Sequence, residues 1–185
     1  MVLPALADLD IRFDGRALRM KIAVIGCGNA NRSDDAAGLE VIRLLRARLI
    51  DPAVADVMLL DAGTDGMAVM FAAKGCTSLI VVDACRTGSA PGAVYEVPGS
   101  ELANEAPHTL TLHDFRWDHA LYAGRRIFGD NFPRDVLGFL IEAERVELGC
   151  GLSRSVAEAA ASVALQIEER IAQRRRDHMA AGTGS

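Results

Sequence analysis

The sequence predicts an α/β fold, a three-layer α/β/α sandwich around a central sheet of about five strands that is mostly parallel but mixed. Three observations predict it. Short apolar runs alternate with segments of helical periodicity from Lys21 to Ile171. Half of the 185 residues are hydrophobic and only 5% are aromatic, so Val, Ile, Leu and Ala must fill the interior. That composition suits a sheet buried on both faces. Acidic residues also recur where the apolar runs end, which is where open α/β sheets bind their ligands.

The elements follow in order. Residues 1–19 precede the first strand as an extension, and residues 20–176 make up a single domain. Ile22 to Ile25 is a strand that enters a tight turn at Gly26-Cys27-Gly28-Asn29. Leu39, Ile42, Leu45 and Leu49 recur at helical spacing, with Glu40, Arg43 and Arg46 on the other face. Val57 to Leu60 is a second strand, closed by Asp61-Ala62-Gly63-Thr64, and Met67, Met70 and Phe71 mark a short helix stopped at Gly75. Leu79 to Val82 is a third strand ending in Asp83. Ala93 to Val97, after Pro91-Gly92, is an antiparallel or edge strand. Asp114 to Phe128 reads as a helix, Val136 to Ile141 as a buried strand, and Val146 to Leu148 as a weaker one. Ser155 and Glu158 form a capping-box pattern that opens a last helix through Val163, Ile167 and Ile171. Residues 177–185 form a flexible tail, and there is no internal repeat.

Composition narrows the function. The net charge of -5 argues against nucleic-acid binding, since Arg174-Arg175-Arg176 is the one basic cluster and sits near the end of a helix. No apolar stretch approaches the roughly 20 residues of a membrane span. The N-terminal segment lacks a basic start leading into an apolar run, so the expected location is the cytoplasm. Cys27, Cys76, Cys85 and Cys150 show no CxxC spacing, which reads as reduced thiols rather than a disulfide framework or zinc knuckle. Cys27 and Cys85 lie near strand ends where a nucleophile would sit. Small buried thiols are common, however, and packing is the preferred reading.

The strand ends give a site map. The first strand leads to Asp34 and Asp35, the second stops at Asp61 and the third at Asp83. Such acids repel one another unless a positive charge lies between them. A metal ion answers that need, and His113 can supply a nitrogen ligand. Two carboxylates and an imidazole with open positions suit nickel, with zinc or cadmium as surrogates. The bland alternative is that Asp34 or Asp35 simply caps the helix beginning near Ala36. A dinucleotide-binding oxidoreductase is a further alternative, with Gly26-x-Gly28 as its turn and Asp61 on a ribose. Its third glycine is replaced by Asn31, and Asp34 and Asp35 would repel a pyrophosphate.

Four segments together, IAVIGCGNANRSDDAAG (22–38), DAGTDG (61–66), LIVVDA (79–84) and Pro91-Gly92, resemble the [NiFe]-hydrogenase maturation endopeptidases. The resemblance spans roughly Lys21 to Ile171. It implies a phosphorylase/hydrolase-like sandwich and a cytoplasmic protease that acts on a hydrogenase large-subunit precursor. That protease removes a C-terminal extension after nickel has been installed, and the nickel is supplied by the substrate. By motif it implies Asp35, Asp83 and His113 as ligands. Asp34 stands beside Asp35 as an exchange candidate, and His108 stands as the alternative to His113. Asp35, Asp61 and Asp83 become the catalytic candidates, and Gly63, Thr64 and Gly66 the peptide-binding loop. A noncatalytic nickel-sensing chaperone of the same precursor is the alternative from a different functional class.

Overall fold

The computed structural model describes residues 20–49, 56–102 and 116–182. Five strands form one sheet: β1 (Ile22–Cys27), β2 (Val57–Gly63), β3 (Ser78–Cys85), β4 (Val94–Pro98) and β5 (Asp135–Glu142). Their order across the sheet is β2-β1-β3-β5-β4. The first four in that order run parallel, and β4 closes one edge antiparallel to β5, as Pro91-Gly92 and the following run anticipate. Every residue of β1 is buried, consistent with a central strand covered on both faces.

Strand alternation divides the interior into two cores. Ile22, Val24, Ile80, Val82, Leu137, Phe139 and Ile141 face α1 (Ala37–Arg48) and α5 (Arg154–Gly182). Ala23, Ile25, Leu79, Val81 and Val136 face α2 (Gly66–Ala73) and α4 (Trp117–Phe128). A one-turn helix, α3 (Gly99–Leu102), follows β4. Each fully buried Ile, Val or Leu contributes about 1.5–3 kcal/mol. The apolar runs of the strands therefore provide most of the driving force for this layering.

Helix α1 sits unusually close to the sheet. A Cβ on Gly38 would run into the carbonyl oxygens of Cys27 and Val82, and one on Gly26 would strike the Gly38 carbonyl. Two glycines in register let the helix rest directly on the backbones of β1 and β3. The 3-10 turn Ser33–Ala36 leads into that helix.

Three sequence expectations need correction. Val146 to Leu148 is not a strand of the sheet. The segment lies beside residues 31–34 and forms an isolated parallel bridge, Arg32 to Gly149. The last helix begins at Arg154, so Ser155 lies inside it and Ser153 takes the residue-before-helix position. Glu158 binds Arg154 across one helical turn, Nε to Oε1 at 2.9 Å, and does not complete a capping box. The same helix continues to Gly182, beyond the basic run at 174–176 where the sequence ended the domain. The N-terminal extension falls outside the described residues, as do His108, His113 and Asp114.

Candidate active site at the carboxyl ends of the strands

Strand order reverses at β1, because β2 lies to one side of it and β3 to the other. Loops leaving the carboxyl ends of these strands must diverge there, which opens a crevice. A cavity of about 630 Å³ occupies it. Its walls include Cys27 and Gly28 after β1, Gly63 to Gly66 after β2, and Asp83 to Arg86 at the end of β3.

Asp83 is the most constrained acid of the site. It is 6% exposed, and its Oδ2 accepts a 2.7 Å hydrogen bond from the indole Nε1 of Trp117, while Oδ1 accepts from the Ala84 N–H at 2.8 Å. An Arg116 guanidinium nitrogen stands 3.9 Å from Oδ2. Burial pushes the Asp83 carboxyl up to about 6, against the lowering influence of these three partners, and the negative charge of Asp35 adds to the rise. A carboxyl poised there can be ionised or protonated near neutral pH.

Asp35 lines the same cavity. The 3-10 turn carries it, and its Oδ2 accepts from the Asn29 N–H at 3.0 Å, which ties the acid to the turn after β1. Gly28 lies between the two acids at φ +127°. A Cβ there would collide with the Asp35 carbonyl and lie 3.7 Å from Asp83 Oδ1. Glycine is what lets both acids open onto one space. Two carboxylates sharing a cavity suit a divalent cation in donor chemistry. Among the described residues no three His, Cys, Asp or Glu side chains form a metal-binding group.

The loop after β2 forms one wall of the cavity. Gly63, Thr64, Asp65 and Gly66 all line the cavity, and the Asp65 carboxylate caps α2 by accepting from the Ala68 N–H at 3.1 Å. Asp61 is not brought in. It is exposed, stands apart from the cavity lining, and its Oδ1 closes a local turn by accepting from the Gly63 N–H at 3.0 Å. A turn-forming role explains its position without a catalytic one.

Asp34 is also drawn elsewhere. It is fully buried, and its carboxylate accepts from the backbone N–H groups of Ser153 (2.6 Å), Glu144 and Arg145 (both 3.0 Å). Burial works to raise its pKa, but these three donors win and hold it below the usual carboxylate value. Fully buried and outside the cavity lining, Asp34 does not share that space with Asp35. Its neighbour Ser33, at φ +48°, donates Oγ–H to the Glu147 carbonyl at 3.1 Å, and the Ser33 N–H donates to Gly149 at 2.9 Å. The loop after β5 is thus zipped onto the turn that carries Asp35.

Sequence reasoning missed Glu142. Buried at the end of β5, it accepts hydrogen bonds from the Thr87 N–H and hydroxyl, the Gly88 N–H and the Cys85 thiol. The Thr87 N–H leads in bringing its carboxyl down to about 2, so Glu142 stays ionised and fixes the segment after β3. Trp117 was also missed as a site residue, although its being the only tryptophan of the chain was a usable signal.

The cysteines fit the packing reading. Burial, reinforced by the charge of Asp83, raises the Cys27 thiol far above its normal range. Burial and the acceptor Glu142 push Cys85 up to about 12. Neither forms a thiolate near neutral pH, so neither is an activated nucleophile. Cys150 is exposed. Native protein treated with an alkylating reagent near pH 7 is expected to be modified at Cys150 first, with Cys27 and Cys85 reacting only after unfolding. Peptide mass spectrometry reads the order, and early modification of Cys27 would contradict it.

Comparison with known proteins is consistent with this geometry. Residues 39–170 match a sequence model of the family described as "Hydrogenase maturation protease". The match covers Asp61 and Asp83 and starts after Asp34 and Asp35. The chain is 31% identical over 143 residues to the hydrogenase 2 maturation protease of Escherichia coli (strain K12), covering 74% of this chain and 82% of that protein. Its structure resembles the E. coli hydrogenase maturating endopeptidase HybD with a TM-score of 0.65 at 27% identity, covering 85% of this chain and 94% of the other. A [NiFe] hydrogenase maturation protease from Thermococcus kodakarensis KOD1 shares the fold at 23% identity, with a TM-score of 0.62 over 81% of this chain and 91% of that one.

Proposed function

The chain belongs to the hydrogenase maturation protease family, and from that premise we propose that it cuts the C-terminal extension from a [NiFe]-hydrogenase large-subunit precursor already loaded with nickel. The observation that carries the reading is that Asp35 and Asp83 line one cavity together with Gly28, whose missing side chain leaves the space beside Asp83 open. The charge of Asp35 adds to the rise that burial imposes on Asp83, and an arriving cation would relieve both. In this proposal the cation is the nickel of the substrate, and His113, or His108 in its place, supplies a third donor.

The residues of this chain then divide the work. Asp35 and Asp83 orient the precursor by its metal, and the Gly63–Gly66 loop supports the scissile segment in extended form. Asp83 takes a proton from the attacking water as the water oxygen bonds the carbonyl carbon, and returns a proton to the departing amine as the C–N bond breaks. Trp117 and the Ala84 N–H hold the Asp83 carboxyl in one orientation throughout. Cytoplasmic residence belongs to the same proposal; none of the described helices is long and apolar enough to cross a membrane.

The test incubates the protein with nickel-loaded precursor and follows the precursor by intact mass. Shortening at the C-terminus is the expected result, and it should fail with metal-free precursor. A stable complex with no loss of mass would replace the protease reading with that of a noncatalytic chaperone.

A further inference from the structure

The cavity has a second chemical character that the acid pair does not explain. Arg32, Arg86 and Arg116 line it together with Asp35 and Asp83. All three arginines are exposed residues, and their structural engagements are slight. Arg116 keeps 67% of its side chain exposed and approaches Asp83 only to 3.9 Å, beyond hydrogen-bond reach. The Asp83 carboxylate is already supplied with donors by Trp117 and Ala84. Arg32 commits only its Nε, to the Val146 carbonyl at 3.1 Å, which leaves its terminal nitrogens available. Arg86 follows directly on β3, in the segment that Glu142 anchors through Thr87 and Gly88.

Guanidinium groups with unspent N–H donors around a concave surface match a planar carboxylate, which they can grip by two parallel hydrogen bonds. Arg116 makes a long ion pair with Asp83 at 3.9 Å and spends no N–H on it, so charge balance on the aspartates leaves the guanidinium donors free. The geometry points to a bipolar cavity: its floor of Asp35 and Asp83 takes a cation, and its rim of Arg86 and Arg116, flanked by Arg32, takes a carboxylate of the substrate peptide. This deepens the proposed function, on which it rests, by specifying the substrate as a peptide with a carboxylate close to the bond being cut. That carboxylate can be an acidic side chain or a free chain terminus, which share the same chemistry.

Trp117 is the only tryptophan, and it lines the cavity, so its fluorescence reports occupancy without any need for turnover. Full-length protein is titrated with four short peptides: one with a glutamate, its glutamine counterpart, and a C-terminally amidated form of each. Tighter binding of the glutamate peptide, amidated or not, assigns the rim to a side chain, while loss on amidation assigns it to a chain terminus. The expected preference is about tenfold, and Arg86→Gln or Arg116→Gln should each reduce it to roughly twofold or less. Raising the salt concentration should weaken the acidic peptide selectively. Equal binding of all four peptides by the wild type, or an unchanged preference in both variants, overturns the carboxylate site. Cleavage of the nickel-loaded precursor is scored separately on the same preparations. The protease reading thus stands or falls on the mass of the precursor, and the rim on the fluorescence.

Discussion

Replacing Asp83 with Asn is expected to abolish most precursor cleavage while leaving the folded protein as stable as before or more so. The activity loss should be roughly 10²–10⁴-fold in kcat/KM, the usual range for removal of a positioned acid–base group. The stability effect has the opposite sign for an electrostatic reason. Burial raises the Asp83 carboxyl to about 6 from an ordinary 3.8. Between those values the folded state holds a proton that the unfolded state releases, so wild-type stability falls as pH rises through this window. Asparagine keeps an oxygen acceptor for the Trp117 indole and has no charge to desolvate. That gain outweighs the loss of the acceptor for the adjacent Ala84 N–H. The variant should therefore match the wild type near pH 4 and exceed it by about 1–3 kcal/mol above pH 6. Thermal unfolding from pH 4 to 8, run beside the cleavage assay, tests both halves. A variant that is both inactive and destabilised at pH 7 would show that Asp83 is a structural acid.

Asp34→Ala should do the reverse, with its first effect on stability. Three backbone N–H groups converge on this buried carboxylate, from Glu144, Arg145 and Ser153. Alanine would leave all three without their acceptor, the Ser153 N–H in a buried setting and the other two in a partly buried one, a cost of about 3–5 kcal/mol. In a chain of this size that lowers the melting temperature by roughly 10–15 °C. The pH dependence follows from a lowered carboxyl pKa. The stabilising contribution is fully present above the ordinary value near 3.8 and fades as pH falls through the folded value, so the gap between wild type and variant should narrow in acid. Denaturant titration at pH 7 and pH 3 measures it. Because Val146 of the anchored loop lines the cavity, the residual activity should show a raised KM with a smaller change in kcat. A loss below about 1 kcal/mol would contradict the anchor.

The sheet was readable because its signal is local. Each strand is a run of apolar residues long enough to cross the interior, and each is closed by residues that favour turns. Asp35, Asp83 and the Gly63–Gly66 loop line one cavity because strand ends converge at a reversal of strand order. What went unread depends on partners distant in sequence. Asp34 and Asp35 are adjacent and chemically identical, yet one is sealed against residues 110 to 119 positions away and the other opens onto the cavity. Nothing within the turn itself distinguishes them. Asp61 stood at a strand end like Asp83, but it is taken up by a local turn with Gly63. Val146 to Leu148 carries a strand-like pattern, yet its side-chain and backbone partners lie in the turn at 31–34, off the main sheet. The capping pattern of Ser155 and Glu158 lost to Ser153, whose N–H is held by Asp34.

The two facing glycines, Gly26 and Gly38, have a consequence for how this protein can adapt. At the crossing of Gly38 with Gly26 no side chain separates helix from strands, so the end of α1 that follows Asp35 has little room to absorb a shift. The acid pair is cast into the framework like a fixed jaw, and retuning for a differently shaped precursor falls to the opposing jaw. That jaw is the Arg86 segment after β3, which Glu142 fastens through hydrogen bonds from Thr87 and Gly88.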